Sequence, residues 1–246
     1  MQFKGQVAIV TGGSTGIGRA VAEQLAARGA SVLIGYIGDP ADAEMTIRDI
    51  EAKGGTASAF CADISKVDEI KKMFAACIER YGQPDMLVAN AGFSGMMPLM
   101  EITEQEYYSK FEVNTKGTLF CIQEAGRHLN SGGRIVVVSS SSVSFPCENM
   151  TAYTASKSAL HAVVEIAAKE FGPRRITVNS ILPGVTATEN AIKDLPPELI
   201  KAVTDSTPAK KVGTPDDVAQ AIVLLLMKEA HWINGQNILA NGGGTF

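Results

Sequence analysis

The feature that most constrains the fold is a regular alternation of short apolar runs with longer amphipathic segments. The short runs are rich in β-branched residues and bounded by turn residues, a pattern typical of strands buried on both faces. Alternation with helix-period segments predicts an α/β fold, doubly wound, with a mostly parallel seven-stranded sheet and helices on both faces. The predicted strands are 7–10, 31–34, 56–60, 86–89, 135–138, 177–182 and 237–240, and the predicted helices are 18–27, 41–53, 66–81, 104–129, 152–171 and 215–229.

No linker, charge block or low-complexity stretch divides the chain, so we predict a single domain over residues 1–246. The one irregular region, 184–214, contains Pro196, Pro197 and Pro208. Together with Pro183 it forms a predicted substrate lid region, 183–214.

Composition excludes several functional classes. The 22 Lys and Arg residues against 26 Asp and Glu give a net charge of −4 without basic runs, which argues against nucleic acid as a partner. No apolar stretch approaches the ~20 residues needed to span a bilayer, so no membrane association is expected. The N-terminus leads directly into a predicted strand without a signal peptide, and we therefore expect a cytoplasmic protein.

The cysteines and histidines show no metal-ligand spacing, and there is no Cys-x-x-Cys motif. We therefore expect reduced thiols and no metal site. The residues concerned are Cys61, Cys77, Cys121, Cys147, His128, His161 and His231.

A glycine-rich turn, Thr-Gly-Gly-Ser-Thr-Gly-Ile-Gly at residues 11–18, joins the first strand to the first helix. Glycines let the backbone approach a pyrophosphate, and a helix N-terminus offers free N–H groups and a partial positive charge. The turn therefore predicts a dinucleotide site, with Gly12, Ser14, Thr15, Gly16, Ile17 and Gly18 as binding residues.

Tyr153 and Lys157 lie one helical turn apart, so both project from the same helix face. An ammonium beside a phenol favours the phenolate, which brings the phenol pKa from ~10 toward the range of acid/base catalysis. Four serines, Ser139 to Ser142, follow the fifth strand, and periodicity does not choose among them. Asn114, within an apolar helix, predicts either a polar task for its amide or a kink.

These motifs resemble those of the classical short-chain dehydrogenases/reductases. The resemblance extends from Lys4 to Gly243 and rests on Thr-Gly-x-x-x-Gly-x-Gly, on Asn-Ala-Gly at 90–92, and on a tetrad of Asn, Ser, Tyr and Lys. It implies a Rossmann fold and an NAD(P)-dependent hydride transfer between nicotinamide and a ketone or secondary alcohol.

The resemblance also implies a role for each matching residue. Ser140 is selected as the serine that orients the substrate oxygen, Tyr153 as the acid/base, Lys157 as the group that lowers its pKa and binds the nicotinamide ribose, and Asn114 as the holder of a relay water. The other implied cofactor contacts are Asp63 and Ile64 at the adenine, Asn90, Ala91 and Gly92 below the adenosine half, and Pro183, Gly184, Thr186 and Thr188 at the nicotinamide. Asp63 also fits an N-terminal helix cap.

The choice between NAD and NADP is expected at the end of the second strand, where an acidic side chain would bind the ribose 2′-OH. The family's acidic position is Tyr36, and the cationic positions of NADP-dependent members are Thr15 and Ile37. Asp39 would disfavour a 2′-phosphate, which gives a slight preference for NAD(H).

The substrate pocket is expected to be lined by Phe93, Met97, Ser140, Ser142, Cys147, Tyr153 and Val185. Methionine and phenylalanine give an adaptable apolar surface, which suits a ketone or an acyl chain better than a free sugar. We therefore predict a carbonyl reductase or alcohol dehydrogenase. One alternative is a 3-oxoacyl-[acyl-carrier-protein] reductase, in which Arg174 would dock the acidic carrier, although Ser131 occupies the other docking position.

A second alternative is a non-catalytic nucleotide-binding regulator, against which the intact tetrad argues. The resemblance further implies a homotetramer or homodimer joined through the predicted helices 104–129 and 152–171.

Overall fold

Seven parallel strands form one sheet in a computed structural model that describes residues 1–188 and 197–244. The strand order is β3-β2-β1-β4-β5-β6-β7, which confirms the predicted doubly wound parallel sheet. The strands are β1 (Val7–Thr11), β2 (Ser31–Tyr36), β3 (Thr56–Cys61), β4 (Met86–Ala89), β5 (Arg134–Val138), β6 (Thr177–Pro183) and β7 (Asn237–Ala240).

Helices cover both faces of the sheet. They are α1 (Gly16–Ala27), α2 (Pro40–Ala52), α3 (Val67–Tyr81), α4 (Glu104–Lys110), α5 (Thr118–His128), α6 (Thr151–Phe171), α7 (Pro197–Ser206) and α8 (Pro215–Leu226). Successive side chains of a strand point to opposite faces. In β5, Val136 and Val138 therefore join the core beneath α1 and α8, whereas Ile135 and Val137 join the core beneath α3, α5 and α6.

The single α-helix predicted over 104–129 is wrong in its middle. A π-helical segment, Phe111–Gly117, separates α4 from α5, and Asn114 lies inside it. Within this wider turn, the side chains of Asn114 and Thr115 form hydrogen bonds with residues outside the helix. π-Helical turns of this kind often occur at functional sites.

The predicted lid region is described only in part, because residues 189–196 lie outside the described residues. Its two ends are joined by a parallel bridge between Thr186 and Gly213, and it contains α7. Pro215 opens α8 behind a capping box made by Thr214 and Asp217. None of the helices in the described ranges is long and apolar enough to cross a membrane.

The chain changes direction across the sheet between β1 and β4, which are neighbours in space although two strands separate them in sequence. In doubly wound sheets, ligands bind in the crevice outside the carboxyl ends of the strands at such a switch point. The residues that follow β1, β4 and β5 therefore meet in one place.

Candidate active site

The glycine turn after β1 is packed too closely to accept side chains. Gly12 and Gly16 have φ of +61° and +54°, the left-handed region that favours glycine. A Cβ on Gly18 would lie 2.0 Å from the carbonyl oxygen of Gly12 and 2.6 Å from Nδ2 of Asn90. These approaches allow α1 to begin directly against the turn.

The N-terminus of α1 fits an anionic ligand. Thr15 stands at the N-cap without a capping side-chain hydrogen bond, and the first turn carries no acidic residue. The first N–H groups of an α-helix have no intrahelical acceptor, so this end of α1 suits a pyrophosphate. The loop is held from behind by Thr46, whose hydroxyl donates to the Ser14 carbonyl at 3.0 Å.

Asn90 joins the ends of β1 and β4. Its Nδ2 donates to the carbonyl oxygens of Thr11 and Gly12, at 3.0 Å each. The hydroxyl of Thr11 accepts in return from the backbone N–H groups of Asn90 and Ala91, at 3.0 and 3.1 Å. The Asn-Ala-Gly motif thus fixes the floor of the crevice.

The residues predicted to bind adenine and ribose lie at the ends of β2 and β3. Asp63 accepts from the N–H of Ser65 at 2.9 Å, so it closes the turn that precedes α3. Tyr36 ends β2 half-buried. Asp39 is exposed, and its carboxylate caps α2 by accepting from the N–H of Ala41 at 2.9 Å. The carboxylate predicted to reach the ribose therefore also serves α2.

Lys157 is buried, with 3% of its surface exposed, and its Nζ donates to the carbonyl oxygen of Val138 at 2.8 Å. Burial lowers the pKa of its ammonium from 10.5 to about 8. A Cβ on Gly92 would lie 3.1 Å from this Nζ and 2.7 Å from Oδ1 of Asn114. The bare Gly92 therefore allows the lysine and the asparagine to share one site.

The amide of the fully buried Asn114 is used within the protein. Its Oδ1 accepts from the N–H of Phe93 at 3.0 Å, and its Nδ2 donates to the Phe93 carbonyl at 3.1 Å and to Oγ of Ser156 at 3.0 Å. Because both amide hydrogens are engaged, only Oδ1 retains a lone pair for a water molecule.

Tyr153 and Ser140 face each other. The Ser140 hydroxyl forms a hydrogen bond with Tyr153 that lowers the phenol pKa, but the larger effect is burial, which raises the pKa above 10.0. The Ser140 hydroxyl also contacts that of Ser142 at 2.9 Å, whereas Ser139 contacts Nε2 of His161 at 3.3 Å. Of these serines, Ser140 is therefore the one beside the phenol.

The expectation that Lys157 lowers the pKa of Tyr153 is not met in this structure. The ammonium donates to the Val138 carbonyl, and the phenol pKa is raised because burial disfavours the phenolate. Tyr153 is thereby held in its protonated form.

Lys157 is expected to make stability depend on pH. Because its pKa in the folded protein is about 8, below the ordinary 10.5, the folded protein releases this proton while the unfolded chain retains it. The free energy of unfolding therefore rises between these two pH values, and the difference between wild type and Lys157→Met should change by roughly 3 kcal/mol across the interval. Urea unfolding of the cofactor-free protein at several pH values measures this change. The exposed Lys71, replaced by Met, is the control, and a constant difference for Lys157→Met would contradict the expectation.

Two chain segments border the site on the substrate side. Residues 92–97, which we call the strap, follow β4, and residues 145–150 precede α6. The N–H of Met97 donates to the carbonyl of Asn149 at 2.6 Å, and Asn149 adopts a left-handed φ of +62°. Of the predicted pocket residues, Phe93 and Cys147 are exposed, and Val185 is partly buried at the foot of the lid region. The strap and the second segment therefore form one continuous rim.

A family model described as "Enoyl-(Acyl carrier protein) reductase" matches residues 12–245. The short chain dehydrogenase/reductase AacuN of Aspergillus aculeatus is 35% identical over 98% of this chain and 96% of its own. The chain belongs to the short-chain dehydrogenase/reductase family. It is therefore an NAD(P)-dependent oxidoreductase with a nicotinamide cofactor.

Two solved structures resemble the chain over nearly its whole length. The promiscuous reductase LugOII, which catalyses keto-reduction at C1 during lugdunomycin biosynthesis, is 34% identical, covers 100% of both chains and has a TM-score of 0.94. The angucycline C-6 ketoreductase LanV with bound NADP is 33% identical, covers 99% of this chain and 97% of its own, and has a TM-score of 0.94.

Arg174 is partly buried, and its side chain is attached to the end of α5. Its guanidinium donates to the carbonyl oxygens of Gly126 and Leu129. These carbonyls belong to the C-terminal turn of α5 and to the residue after it, where a helix lacks backbone donors and attracts cations. The side chain therefore caps α5, and its role in docking a carrier protein stays a prediction.

Sequence reasoning missed Ser156 and Thr115. Ser156 donates to the Tyr153 carbonyl at 2.7 Å and accepts from Asn114, while the Thr115 hydroxyl donates to the Ser156 carbonyl at 2.7 Å. The available signal was a serine inside a helix, next to Lys157, where a hydroxyl commonly bonds to backbone groups. Within residues 1–188 and 197–244 of this short-chain dehydrogenase/reductase, no three His, Cys, Asp or Glu side chains converge on a metal position.

Proposed function

We propose that the protein reduces a ketone to a secondary alcohol at the crevice beyond β1, β4 and β5. The observation that carries this proposal is the convergence of the protonated Tyr153 phenol, the Ser140 hydroxyl and the buried Lys157 beside an anion-binding glycine turn. The reverse oxidation uses the same groups in their other protonation states.

The cofactor supplies the hydride, and the protein positions the reactants and moves the proton. The residues of the glycine turn and the first amides of α1 would hold the pyrophosphate. The adenosine half would lie against Asp63, Ile64, Asn90, Ala91 and Gly92. Lys157 would hold the nicotinamide ribose, and Pro183, Gly184, Thr186 and Thr188 the carboxamide. Thr188 lies next to the glycine turn, since a Cβ on Gly16 would be 3.1 Å from its Cγ2.

Each member of the tetrad would act on a defined atom. The Ser140 hydroxyl orients the substrate oxygen, and the Tyr153 hydroxyl donates a proton to it. Lys157, with a pKa of about 8, exchanges protons readily near neutral pH and replenishes the phenol. Asn114 would accept a hydrogen bond at Oδ1 from a water molecule beside Lys157. Because burial raises the pKa of the Tyr153 phenol, its proton is present at neutral pH for transfer to the substrate oxygen.

Ketones are favoured over carrier-bound thioesters. The exposed Phe93 and Met96 give the rim an apolar surface, and the Arg174 guanidinium is engaged by α5. LugOII and LanV are both ketoreductases by name. These observations support a carbonyl reductase, with a 3-oxoacyl-[acyl-carrier-protein] reductase as the second candidate because of the family model.

A spectrophotometric assay with NADH and NADPH separately tests this proposal. The panel contains α-tetralone, ethyl acetoacetate, an acetoacetyl thioester and a ketose. We expect turnover of the two ketones to exceed that of the thioester and the ketose. Preferential turnover of the thioester would instead support a 3-oxoacyl-[acyl-carrier-protein] reductase. Cofactor binding without any turnover would favour a regulator.

Asp39 is proposed to set the cofactor preference. Its carboxylate, at the N-terminus of α2, would oppose a 2′-phosphate, which is the basis of the preference for NAD(H); the NADP in LanV gives that preference no support. Asp39→Asn keeps a side-chain oxygen for capping but removes the charge. We expect the ratio of kcat/KM with NADPH to that with NADH to rise about tenfold.

The matched control is Asp42→Asn, which removes a charge from the exposed first turn of the same helix. An equal rise in both variants would show that only net charge matters. An unchanged ratio in Asp39→Asn would place Asp39 away from the ribose.

The tetrameric or dimeric state and the cytoplasmic location stay predictions.

A further inference from the structure

Lys110, on α4, is a buried charged residue that the proposed reaction does not use. It is buried, with 4% of its surface exposed, although an ammonium in such a place needs partners to offset its lost hydration. It lies one helical turn before Asn114, on the side of the helix that faces the strap.

Two of the partners of Lys110 belong to the strap, and the third is Glu106 on its own helix. Its Nζ contacts Oε1 of Glu106 at 3.1 Å, donates to the Ser94 carbonyl at 3.1 Å, and lies 3.9 Å from the centre of the Phe93 ring. A Cβ on Gly95 would lie 2.9 Å from the same Nζ and 3.6 Å from Glu106 Oε1. The strap therefore rests directly on the pair formed by Lys110 and Glu106.

The strap itself is exposed and has few other supports. Phe93 and Ser94 are exposed, while the groups that hold them from beneath, Lys110 and Asn114, are buried. Asn114 binds the Phe93 backbone, and Met97 is bound to Asn149. Between these two anchors, Lys110 donates a hydrogen bond to the Ser94 carbonyl, and it also contacts the Phe93 ring.

We propose that Lys110 is a positioning residue for substrate selection, which acts by fixing the Phe93 ring and the strap as a wall of the substrate site. A cation held over one face of an aromatic ring restrains its orientation, and the ring then presents a fixed apolar surface. The proposal rests on the proposed function, because the strap matters for selection only if a ketone binds against it. A bulky cyclic ketone depends on that wall more than a small one does.

Lys110→Met tests the proposal, because it keeps the length and apolar stem of the side chain and removes the charge. We expect KM for α-tetralone to rise about tenfold with kcat little changed, and KM for ethyl acetoacetate to change less than about threefold. Lys110→Arg retains a cation over the ring and should recover most of the α-tetralone KM.

A matched control is available on the same helical stretch. Lys116 pairs with Glu112 at 3.4 Å with the same spacing, but this pair is exposed. Lys116→Met should leave both KM values unchanged. In Phe93→Leu the ring is absent, so adding Lys110→Met should raise KM for α-tetralone much less than it does in the wild type.

Hydrogen exchange provides a readout that does not need turnover. In Lys110→Met, the peptide that contains residues 93–97 should exchange faster than in wild type and in Lys116→Met, because the N–H groups of Phe93 and Met97 lose restraint. Unchanged exchange would overturn the proposal. Faster exchange with equal effects on both ketones would overturn the role in selection. A wild-type enzyme without ketone turnover would overturn the proposed function and the role in selection that rests on it, while exchange would still decide whether Lys110 holds the strap.

Discussion

Replacement of Tyr153 by Phe is expected to lower kcat for ketone reduction by at least about a thousandfold, because it removes the proton donor. The phenol hydroxyl contacts Ser140, and burial keeps it protonated. The ring of Phe fills the same space, so the cofactor dissociation constant and the thermal midpoint should change little. Steady-state assays and nucleotide fluorescence measure the two effects separately.

Tyr108→Phe is the control, because Tyr108 is exposed on α4. It should retain full activity. Substantial turnover by Tyr153→Phe would contradict the assigned proton donor. Parallel loss of cofactor binding and turnover would instead indicate that the tyrosine mainly supports the binding site.

Gly18→Ala is expected to weaken cofactor binding by about a hundredfold. The new methyl group would lie 2.0 Å from the Gly12 carbonyl and 2.6 Å from Nδ2 of Asn90. The Gly12 carbonyl belongs to the backbone and cannot move aside as a flexible side chain would, so the turn itself must shift. Isothermal titration with NADH and NADPH measures the loss.

The control for this glycine is Gly172→Ala, where an added methyl group meets no atom within 4 Å and the φ is −50°. It should bind cofactor as the wild type does. Undiminished binding by Gly18→Ala would show that the closeness of the turn to α1 is not required for the dinucleotide.

The central strands of the sheet could be predicted because they are buried on both faces. Val7, Ile9 and Val10 in β1 are almost free of solvent, and such positions leave continuous apolar runs that the sequence displays. The proximity of Tyr153 and Lys157 could be predicted as well, since they lie one helical turn apart, whereas the choice of Ser140 among four serines rests on the family resemblance. The pKa values of Tyr153 and Lys157 could not be predicted, because burial depends on the surrounding fold.

The remaining features depend on contacts between residues far apart in sequence. The π-helical segment around Asn114 does not alter the apolar periodicity, so a continuous helix was the natural prediction. The family resemblance indicates that Arg174 stands at a docking position, but the orientation of its side chain depends on hydrogen bonds to the carbonyls of Gly126 and Leu129. Lys110 and Glu106 look like an ordinary i, i+4 surface pair in the sequence, whereas in the fold the lysine is buried and contacts the strap.

The backbone hydrogen bond between Met97 and Asn149 has a consequence for redesign. It couples two stretches that a chimera would normally exchange one at a time. A graft of residues 92–97 from a relative would keep its fit only if residues 145–150 came with it, since the left-handed Asn149 shapes the acceptor. The two stretches therefore form a paired cassette, and libraries that vary them jointly should yield more folded, altered-specificity enzymes than libraries that vary either alone.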